Sequence, residues 1–550
     1  MLIALSLLSI LSLGLLVQFK SVWKSSICIN DALVVLLFLI IFINILRGSF
    51  YSRTLISIVL PIMAFALYWD LRVLFSVIGE DAEKLLVIVI AIISVEEALF
   101  GLLQGFGVFH SNHILFPMTG HFQNPGPYGC FIAVTGASSL VYVVLNIKSW
   151  RNSGIREKIM ISLSLISAFL TMTVLPIIMS RAAILGFLCG TGLFLVVRYN
   201  LWRSVLIRSV LIIVIASCAI VLYNVKRDSA DGRQLIYKVA INALAESKGL
   251  GCGLGAFEAH YGDAQYEYFV SGGGGDNEIR LASCPKHAFN DYLQVGVEIG
   301  ILPMIILIII SVLAIYRLTV SYSVLAPSAI VLCVSAMFAY PLQILPMILI
   351  SVIVFAYSAC VSPRLWQSSR ALLFTVFPSF CALLLVFKPI NENIKAREVL
   401  QFAHALYSVG AYESAVDKYA SIAQCKFLPV EYYYEYGHAL HRLEKWEESN
   451  MFLKIGSARS DDPMFHNIIG KNFQAMGMVA EAEKEYTFAH YLVPNRLYPI
   501  YLLAMLYQES GQIERFNAMA KEVMNFNPKV SSHITENLKE QIQSIIEQNN

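Results

Sequence analysis

A polar stripe opens an apolar segment near His287, and its side chains could carry acid–base chemistry. If a helix begins there, side chains three and four residues apart share one face. Four polar residues then lie on that face: His287, Asp291, Gln294 and Glu298. A histidine can accept a proton from a hydroxyl group near neutral pH. We expect the stripe to face a bundle interior or a wet cavity, because polar groups are costly against lipid. The alternative is that His287 and Asn290 only cap the helix at the membrane interface.

Two arginines are candidates for binding an anionic group. Arg181 lies in the stretch MSRAAILGF, in a very short turn between two apolar segments. Arg233 leads an amphipathic helix within the long polar segment at residues 224–288. A guanidinium is always charged and binds phosphate oxygens through paired hydrogen bonds.

Glycines alternate with other residues after the Arg233 helix, at Gly249, Gly251, Gly253 and Gly255. Because glycine has no side chain, the backbone there can approach a ligand closely. A nucleotide-binding loop is not predicted, since its glycine pattern would have to follow a strand. Gly296 and Gly300 form a G-x-x-x-G pattern, which is typical of closely packed membrane helices.

The stretch MTGHFQNPGPYGCF, at residues 118–131, predicts a shaped turn because glycine and proline interrupt it. The alternative is an ordinary loop before a helix. Three histidines lie in or beside this turn, at His110, His113 and His121. Zinc binding is an alternative there, but no further ligand is obvious.

The composition predicts an integral membrane protein. Hydrophobic residues make up 57% of the 550 residues and charged residues 14%, whereas soluble proteins are about 25% charged. The net charge of +2 and the lack of a long basic tract give no support for nucleic-acid binding. The ten cysteines include no C-x-x-C pair, so neither a zinc ribbon nor a dithiol redox site is indicated.

About twelve segments are apolar enough to span a membrane, since a spanning helix needs about 20 apolar residues. They lie near residues 2–18, 31–46, 54–72, 84–107, 124–146, 158–178, 182–198, 204–223, 289–316, 324–340, 342–360 and 370–388. Lysine and arginine concentrate in alternate loops, which places those loops in the cytoplasm. The long loop 224–288, the Arg181 turn and both termini then lie outside.

Two further pairs of residues have open roles. Glu96 and Glu97 lie within a predicted span, where acids are functional candidates, although they could pair with Arg72 or a neighbouring hydroxyl. Cys252 and Cys284 would share an oxidising compartment and could form a disulfide bond.

The chain changes character near residue 390. Residues 1–390 are predicted to form the membrane domain, and residues 391–550 are polar and repeat with a period of 34. Tyr412 and Trp446 show this spacing, as do Gly477 and Gly511. A 34-residue period is typical of tetratricopeptide repeats, whose stacked helix pairs bind peptides or partner proteins. The alternative is a helical cap that only stabilises the fold.

Four segments together resemble the O-antigen ligase and polymerase superfamily of bacterial envelopes. They are the F-x-N-P loop (Phe122–Pro125), the Ser180-Arg181 turn, Arg233 with the G-x-G-x-G-x-F segment (Gly251–Phe257), and the helix start from His287 to Gly300. The resemblance covers most of residues 100–360. It implies an all-α, polytopic membrane helix bundle with a long extracytoplasmic loop, followed here by an extracytoplasmic tetratricopeptide-repeat domain.

The resemblance also implies a reaction in the bacterial inner membrane. A glycan would move from an undecaprenyl-diphosphate donor to an acceptor hydroxyl on a lipid or protein, at the outer face. Arg181 and Arg233 would stabilise the departing diphosphate, and His287 would act as general base. The expected substrate-binding residues are Asn124, Gly251, Gly253, Gly255, Asn290, Asp291 and Glu298. Neither a cofactor nor a metal is expected, because the chain contains no D-x-D pair.

Several alternatives to such a polysaccharide ligase stay open. The same family includes polymerases that extend the glycan, and a protein O-oligosaccharyltransferase would use the same donor. The repeat domain favours contact with an envelope protein partner. A multispan transporter is a different class, but it predicts inverted internal repeats, which the sequence does not show. A membrane-anchored scaffold would not need so many spans.

Overall fold

The computed structural model describes residues 26–47, 55–79, 81–225, 227–367, 373–528 and 532–549. The first predicted span, at residues 2–18, lies outside these residues. Regular structure in the described chain is helical, apart from one antiparallel pair of two-residue strands, β1 (Ser26–Ile27) and β2 (Trp366–Gln367).

Within the described residues, the membrane domain begins with seven long helices. They are α1 (Ile29–Arg47), α2 (Leu55–Ile78), α3 (Asp81–Gly105), α4 (Pro125–Asn146), α5 (Ile155–Ile178), α6 (Arg181–Arg198) and α7 (Val205–Val225). The polar segment that follows forms α8 (Arg227–Glu246), α9 (Phe257–Val270), α10 (Asp276–Leu281) and α11 (Asp291–Ile299). The domain ends with α12 (Ile301–Val320), α13 (Ala326–Phe338), α14 (Leu345–Cys360) and α15 (Leu373–Ser408).

Eight of these helices, α1 to α7 and α12, are long and apolar enough to cross a membrane. Within the described residues, α13 and α14 are apolar but shorter. The structure therefore confirms a multi-pass helical membrane protein, whereas the total of twelve spans stays a prediction.

Helix α4 lies at the centre of the bundle and packs against α3, α5, α6 and α13. Small residues allow these close contacts. Gly136 of α4 lies against the side chain of Thr171, and Gly190 of α6 lies against the backbone of Pro327. The serine side chains of Ser138 and Ser328 are hydrogen-bonded between α4 and α13. These two hydroxyl groups thus bind each other rather than facing lipid.

The predicted span at residues 289–316 is wrong as a single helix. Asn290 caps α11, and its Oδ1 accepts a hydrogen bond from the backbone N of Leu293 at 3.0 Å. His287 precedes this helix, because Phe289 adopts a left-handed conformation with a φ of 51°. At the other end of α11, Gly300 has a φ of 114° and separates α11 from α12. Such a backbone conformation is available to glycine without strain.

The glycine-rich loop, residues 249–255, packs against this break. Backbone N–H groups of Cys252 and Gly253 donate to the carbonyl oxygens of Val297 and Glu298 at 2.9 and 2.8 Å. The carbonyl oxygen of Gly249 accepts from the N–H of Ile301 at 2.9 Å. The long polar segment is thereby attached to the point where the chain enters α12.

A buried ion pair lies near the start of α1 and the end of α2. Nε of Arg72 donates to Oδ1 of Asp31 at 3.3 Å, and the hydroxyl group of Tyr68 donates to the same oxygen at 2.7 Å. The alternative pairing of Arg72 with Glu96 or Glu97 is not formed, because both acids lie in the second half of α3, away from the end of α2 that adjoins its start.

After α15, eight further helices lie within the described residues. They are α16 (Tyr412–Ser421), α17 (Val430–Arg442), α18 (Trp446–Ser457), α19 (Met464–Ala475), α20 (Val479–Leu492), α21 (Leu497–Glu509), α22 (Ile513–Asn525) and α23 (His533–Asn549). Gly410, Gly477 and Gly511 have positive φ in the turns before α16, α20 and α22. The helices follow the predicted period, and their assignment as tetratricopeptide repeats stays a prediction.

We predict that Gly251→Ala destabilises the protein more than Gly272→Ala. Both glycines have a φ of 79°, so both substitutions strain the backbone equally. A Cβ at residue 251 would also lie 2.6 Å from the backbone N of Gly300, whereas nothing lies within 4 Å of one at residue 272. The additional loss should be about 1–3 kcal/mol, the usual cost of overpacking. Unfolding of the two purified variants in detergent measures the difference, and equal stability would contradict the packing of this loop.

Candidate functional site

A cavity of about 1000 Å³ opens where three loops of the membrane domain meet. Its lining comes from the turn before α4, the segment between α10 and α11, and the turn between α13 and α14. The residues are Ile93, Glu97, His121, Phe122, Gln123, Asn124, Pro127, Phe131, Ile236, Ser283, Cys284, Pro285, Lys286, His287, Phe289, Tyr340, Gln343, Ile344, Leu345 and Pro346. Most of this surface is apolar, with a small number of polar groups, as is common for ligand sites.

His287 lies in the wall of this cavity. Its ring stacks on Tyr340, with 4.7 Å between the ring centroids. Its Nδ1 is buried and has no hydrogen-bond partner among the described residues. Burial, together with the neighbouring Lys286 ammonium group, lowers the pKa of His287 to about 4. The imidazole is therefore neutral at physiological pH and can accept a proton.

Arg233 lies behind the same wall. Its guanidinium group is 4.8 Å from the ring centroid of Phe289, and Nη1 donates to the carbonyl oxygen of Phe338 at 2.7 Å. Phe289 in turn packs edge-on against Tyr340 at 5.3 Å. Burial lowers the pKa of Arg233. Arg233 thus contacts Phe289, which packs against the Tyr340 ring that stacks on His287, although the arginine does not line the cavity.

Arg181 is the first residue of α6 and lies within electrostatic range of Arg233. Its Nη2 donates to the hydroxyl group of Ser229 at 3.0 Å. The preceding Ser180 approaches the carbonyl oxygen of Gly126 at 3.4 Å, next to the turn that lines the cavity. The structure therefore brings the two predicted arginines within electrostatic range of each other, and neither of them lines the cavity that His287 lines.

Asn124 lines the cavity and also begins α4. Its Oδ1 accepts a hydrogen bond from the N–H of Gly126 at 3.1 Å, in the manner of a helix cap, and Pro125 takes the first helical position. The side chain is exposed. Asn124 is thus both a local structural residue and a polar group that a ligand could reach.

The polar stripe of α11 faces protein backbone. Oδ2 of Asp291 accepts from the N–H of Leu342 at 2.8 Å, in the turn that carries Tyr340 and Gln343 into the cavity wall. Nε2 of Gln294 donates to Oε1 of Glu298 at 3.0 Å, while the N–H of Ala288 donates to Oε1 of Gln294 at 3.2 Å. The predicted common face with His287 is wrong, since His287 lies outside the helix. Asp291, Gln294 and Glu298 instead position the segments around the cavity.

The predicted ligand-binding glycines also approach protein. Gly251 and Gly253 pack on the end of α11, and the N–H of Gly255 donates to Oε2 of Glu298 at 2.9 Å. None of these three glycines is among the cavity-lining residues. Asn290, which was expected to bind substrate, caps α11.

Glu97 and His121 form a polar pair that sequence reasoning did not assign to the site. Oε2 of Glu97 lies 2.8 Å from Nδ1 of His121, and Oε1 accepts from the backbone N of His121 at 2.8 Å. The imidazole also stacks on Phe100 at 4.0 Å. Both members of the pair line the cavity. The sequence signal for this pair was two adjacent acidic residues in a predicted span, followed by a histidine in the next loop. This pattern could not show that the residues touch, because their contact depends on tertiary packing.

Glu96, Glu97 and His121 are the one group of three possible metal ligands in the described chain, with ligand atoms within 4.8 Å of one another. Both carboxylate oxygens of the buried Glu97 already bind His121, one through its backbone N–H group and one through its ring. His110, His113 and His121 do not form such a group within the described residues.

Cys252 and Cys284 are free thiols, so the possible disulfide bond between them is absent. The backbone of Cys252 is bound to Val297, whereas Sγ of Cys284 donates to the carbonyl oxygen of Asp461 at 3.0 Å. The two cysteines therefore belong to different contacts of the long loop.

Residues 163–308 match the family model described as O-antigen ligase. The matched range extends from α5 into α12 and includes Arg181, Arg233 and His287. No curated protein gives a significant match to the chain. The family match supports ligase-like or polymerase-like glycosyl transfer by a membrane enzyme.

We predict that Glu97→Gln lowers the free energy of unfolding by about 1.5–3 kcal/mol, because it removes the charge from hydrogen bonds to His121. Glu96→Gln is the matched control, since Glu96 is exposed and lies 4.0 Å from His121. It should change stability by less than about 0.5 kcal/mol. Denaturant unfolding of the purified proteins compares them, and equal effects would contradict the role of the buried pair.

Proposed function

We propose that this protein transfers a glycan from an undecaprenyl-diphosphate donor to an acceptor hydroxyl at the outer face of the bacterial inner membrane. The observation that carries the proposal is the cavity itself. It exposes a neutral histidine in a largely apolar wall, and two mutually close arginines lie behind that wall. The match of this segment to O-antigen ligases supports the same reaction type.

The arginines suit the leaving group of this reaction. Arg181 and Arg233 repel each other electrostatically, and a diphosphate between or beside them would relieve that repulsion. Negative charge on the diphosphate grows as its bond to the sugar breaks. Fixed cations in a poorly hydrated site stabilise such charge without having to reorganise. Lys286 in the cavity wall adds a further positive group.

His287 suits the acceptor side of the reaction. The acceptor oxygen attacks the anomeric carbon, its proton passes to the neutral imidazole, and the carbon–oxygen bond to the diphosphate breaks. Such a one-step displacement inverts the anomeric centre. The donor already contains an activated leaving group, so the reaction needs no nucleotide.

The orientation of the membrane domain agrees with this proposal. Lys148 and Arg151 lie in the loop between α4 and α5, and Arg203 lies in the loop between α6 and α7. By the positive-inside rule these loops are cytoplasmic. The loops that line the cavity alternate with these cytoplasmic loops along the chain. The cavity loops and the C-terminal helices would therefore lie outside the cytoplasm, where a lipid or protein acceptor can reach the site.

We expect His287→Ala to reduce transfer by about 10²–10⁴-fold, because it removes the proton acceptor. Arg181→Ala and Arg233→Ala should each reduce it by roughly 10²–10³-fold through loss of charge stabilisation. Surface glycan and lipid-linked intermediates are measured in a strain without the native enzyme. Arg227→Ala is the control, since Arg227 lies on the same helix as Arg233 with an exposed side chain paired to Asp231.

Normal surface glycan in all three variants would contradict the site assignment. Where glycan is lost, the accumulated intermediate identifies the reaction. Long lipid-linked chains indicate a ligase, whereas single lipid-linked repeat units indicate a polymerase.

We also predict that the transfer is independent of divalent cations, because arginine side chains supply the positive charge. Activity of the purified protein should be unchanged by a chelator and by added Mg²⁺ or Mn²⁺. Loss of activity in the chelator, with recovery on adding either ion, would contradict this mechanism and would indicate the Glu96, Glu97 and His121 group as a metal site.

A further inference from the structure

The cavity wall that contains His287 lies between the membrane domain and the C-terminal helices. We call residues 283–289 the wall segment, since nearly all of them line the cavity. On the side of the cavity, this segment presents His287 and Phe289. The opposite side of this segment, together with residues 280–282 just before it, contacts the region around α20.

Hydrogen bonds from the turn between α20 and α21 hold the residues just before the wall segment. Nδ2 of Asn495 donates to the carbonyl oxygens of Arg280 and Ala282, at 2.9 and 2.7 Å. One amide group thus binds two successive parts of the chain that leads into the wall segment. Arg280 lies in the last turn of α10 and Ala282 follows that helix, where carbonyl groups have no partner within the helix.

A second set of hydrogen bonds joins the wall segment to α9 and α20 together. Nε2 of Gln265, which is fully buried in α9, donates to the carbonyl oxygens of Ser283 and Leu492, at 3.2 and 2.5 Å. Sγ of Cys284 donates to the carbonyl oxygen of Asp461 at 3.0 Å. The carbonyl groups of Ala282 and Ser283 and the thiol of Cys284 are therefore each held by a hydrogen bond. Asn495 binds Ala282 and Asp461 binds Cys284, both from the C-terminal region. Gln265 binds Ser283 and also binds Leu492 of α20.

Aromatic packing makes this contact a buried interface rather than a surface encounter. Tyr266 of α9 stacks on Phe488 of α20 with 4.2 Å between the centroids, and meets Tyr491 edge-on at 6.5 Å. Gly262 of α9 lies so close to Asp461 and Leu492 that a Cβ there would be 2.9 Å from the Asp461 side chain. Helix α9 and the C-terminal helices are thus closely packed.

We propose that the C-terminal helices hold the wall segment in place, so that Asn495 and Gln265 are positioning residues for His287. The positioning of the wall segment does not depend on the proposed function. Only its consequence, that glycan transfer depends on the C-terminal helices, rests on the proposed function. Displacement of α20 and the turn after it would remove the bonds from Asn495 to Arg280 and Ala282 and the bond between Gln265 and Leu492, and so loosen the backbone that leads to His287. A ligand of the C-terminal helices that moves α20 would therefore alter transfer.

Hydrogen–deuterium exchange of the full-length protein in detergent tests the positioning directly. In Asn495→Ala, amides of residues 280–289 should exchange roughly tenfold faster than in the unmodified protein, as expected when two neutral hydrogen bonds are lost. Asn495→Asp provides a second variant, because it keeps the side-chain size but places an acceptor against two carbonyl oxygens. Asn527→Ala and Asn527→Asp are matched controls, since Asn527 is an exposed asparagine in the next corresponding turn.

Faster exchange at residues 280–289 in the Asn495 variants alone, with reduced glycan transfer, supports the proposal. Unchanged exchange there, or the same increase in the Asn527 variants, overturns it. Faster exchange with normal transfer overturns the dependence of His287 on Asn495, provided that His287→Ala abolishes transfer. Normal transfer by His287→Ala contradicts the proposed function instead, and the exchange result still decides whether the C-terminal helices hold the wall segment.

Discussion

The packing of the glycine-rich loop on the end of α11 is the contact from which the rest of the site follows. Gly251 and Gly300 both have positive φ, and their backbones approach so closely that neither position can accommodate a side chain without movement. The backbone bonds from this loop to Val297 and Glu298 end the short helix and redirect the chain into α12. Without that break, the polar side chains of α11 would continue into a spanning helix, where they would face apolar surroundings at considerable cost.

Once α11 is fixed, its polar side chains hold the cavity loops. Asp291 binds the turn at Leu342, Gln294 binds Ala288, and Glu298 binds Gly255. Each bond is between a side chain and a backbone N–H group, so each determines the course of a loop rather than a single rotamer. His287 can then remain neutral in a largely apolar wall, because the groups that place it act through the backbone and no described residue hydrogen-bonds its buried Nδ1. Arg233 lies beyond the aromatic groups of this wall, where partial burial strengthens its electrostatic effect.

The sequence was sufficient to predict the helical membrane domain, because the length of an apolar segment directly reflects the thickness of the membrane. It also singled out Arg181, Arg233 and His287; the structure places the two arginines close to each other, and the roles of all three residues stay predictions. It did not predict which partners the polar groups take. The spacing of His287, Asp291 and Glu298 fits one helical face, but a left-handed residue at Phe289 removes His287 from that face. Likewise, alternating glycines are compatible with an approach to a ligand or to another backbone, and only the tertiary structure distinguishes the two. The Glu97–His121 pair joins residues from a span and a loop, so no local pattern could identify it.

The most direct test of the account is transfer by the purified full-length protein in liposomes. The assay supplies an undecaprenyl-diphosphate-linked glycan and acceptor membranes from a strain that lacks the enzyme. We predict that undecaprenyl diphosphate is released in a one-to-one ratio with glycan joined to the acceptor, and that the new linkage has inverted anomeric configuration. The same assay with His287→Ala should give neither product. Equal transfer by His287→Ala, or a linkage with retained configuration, would contradict a one-step displacement assisted by His287 in this cavity.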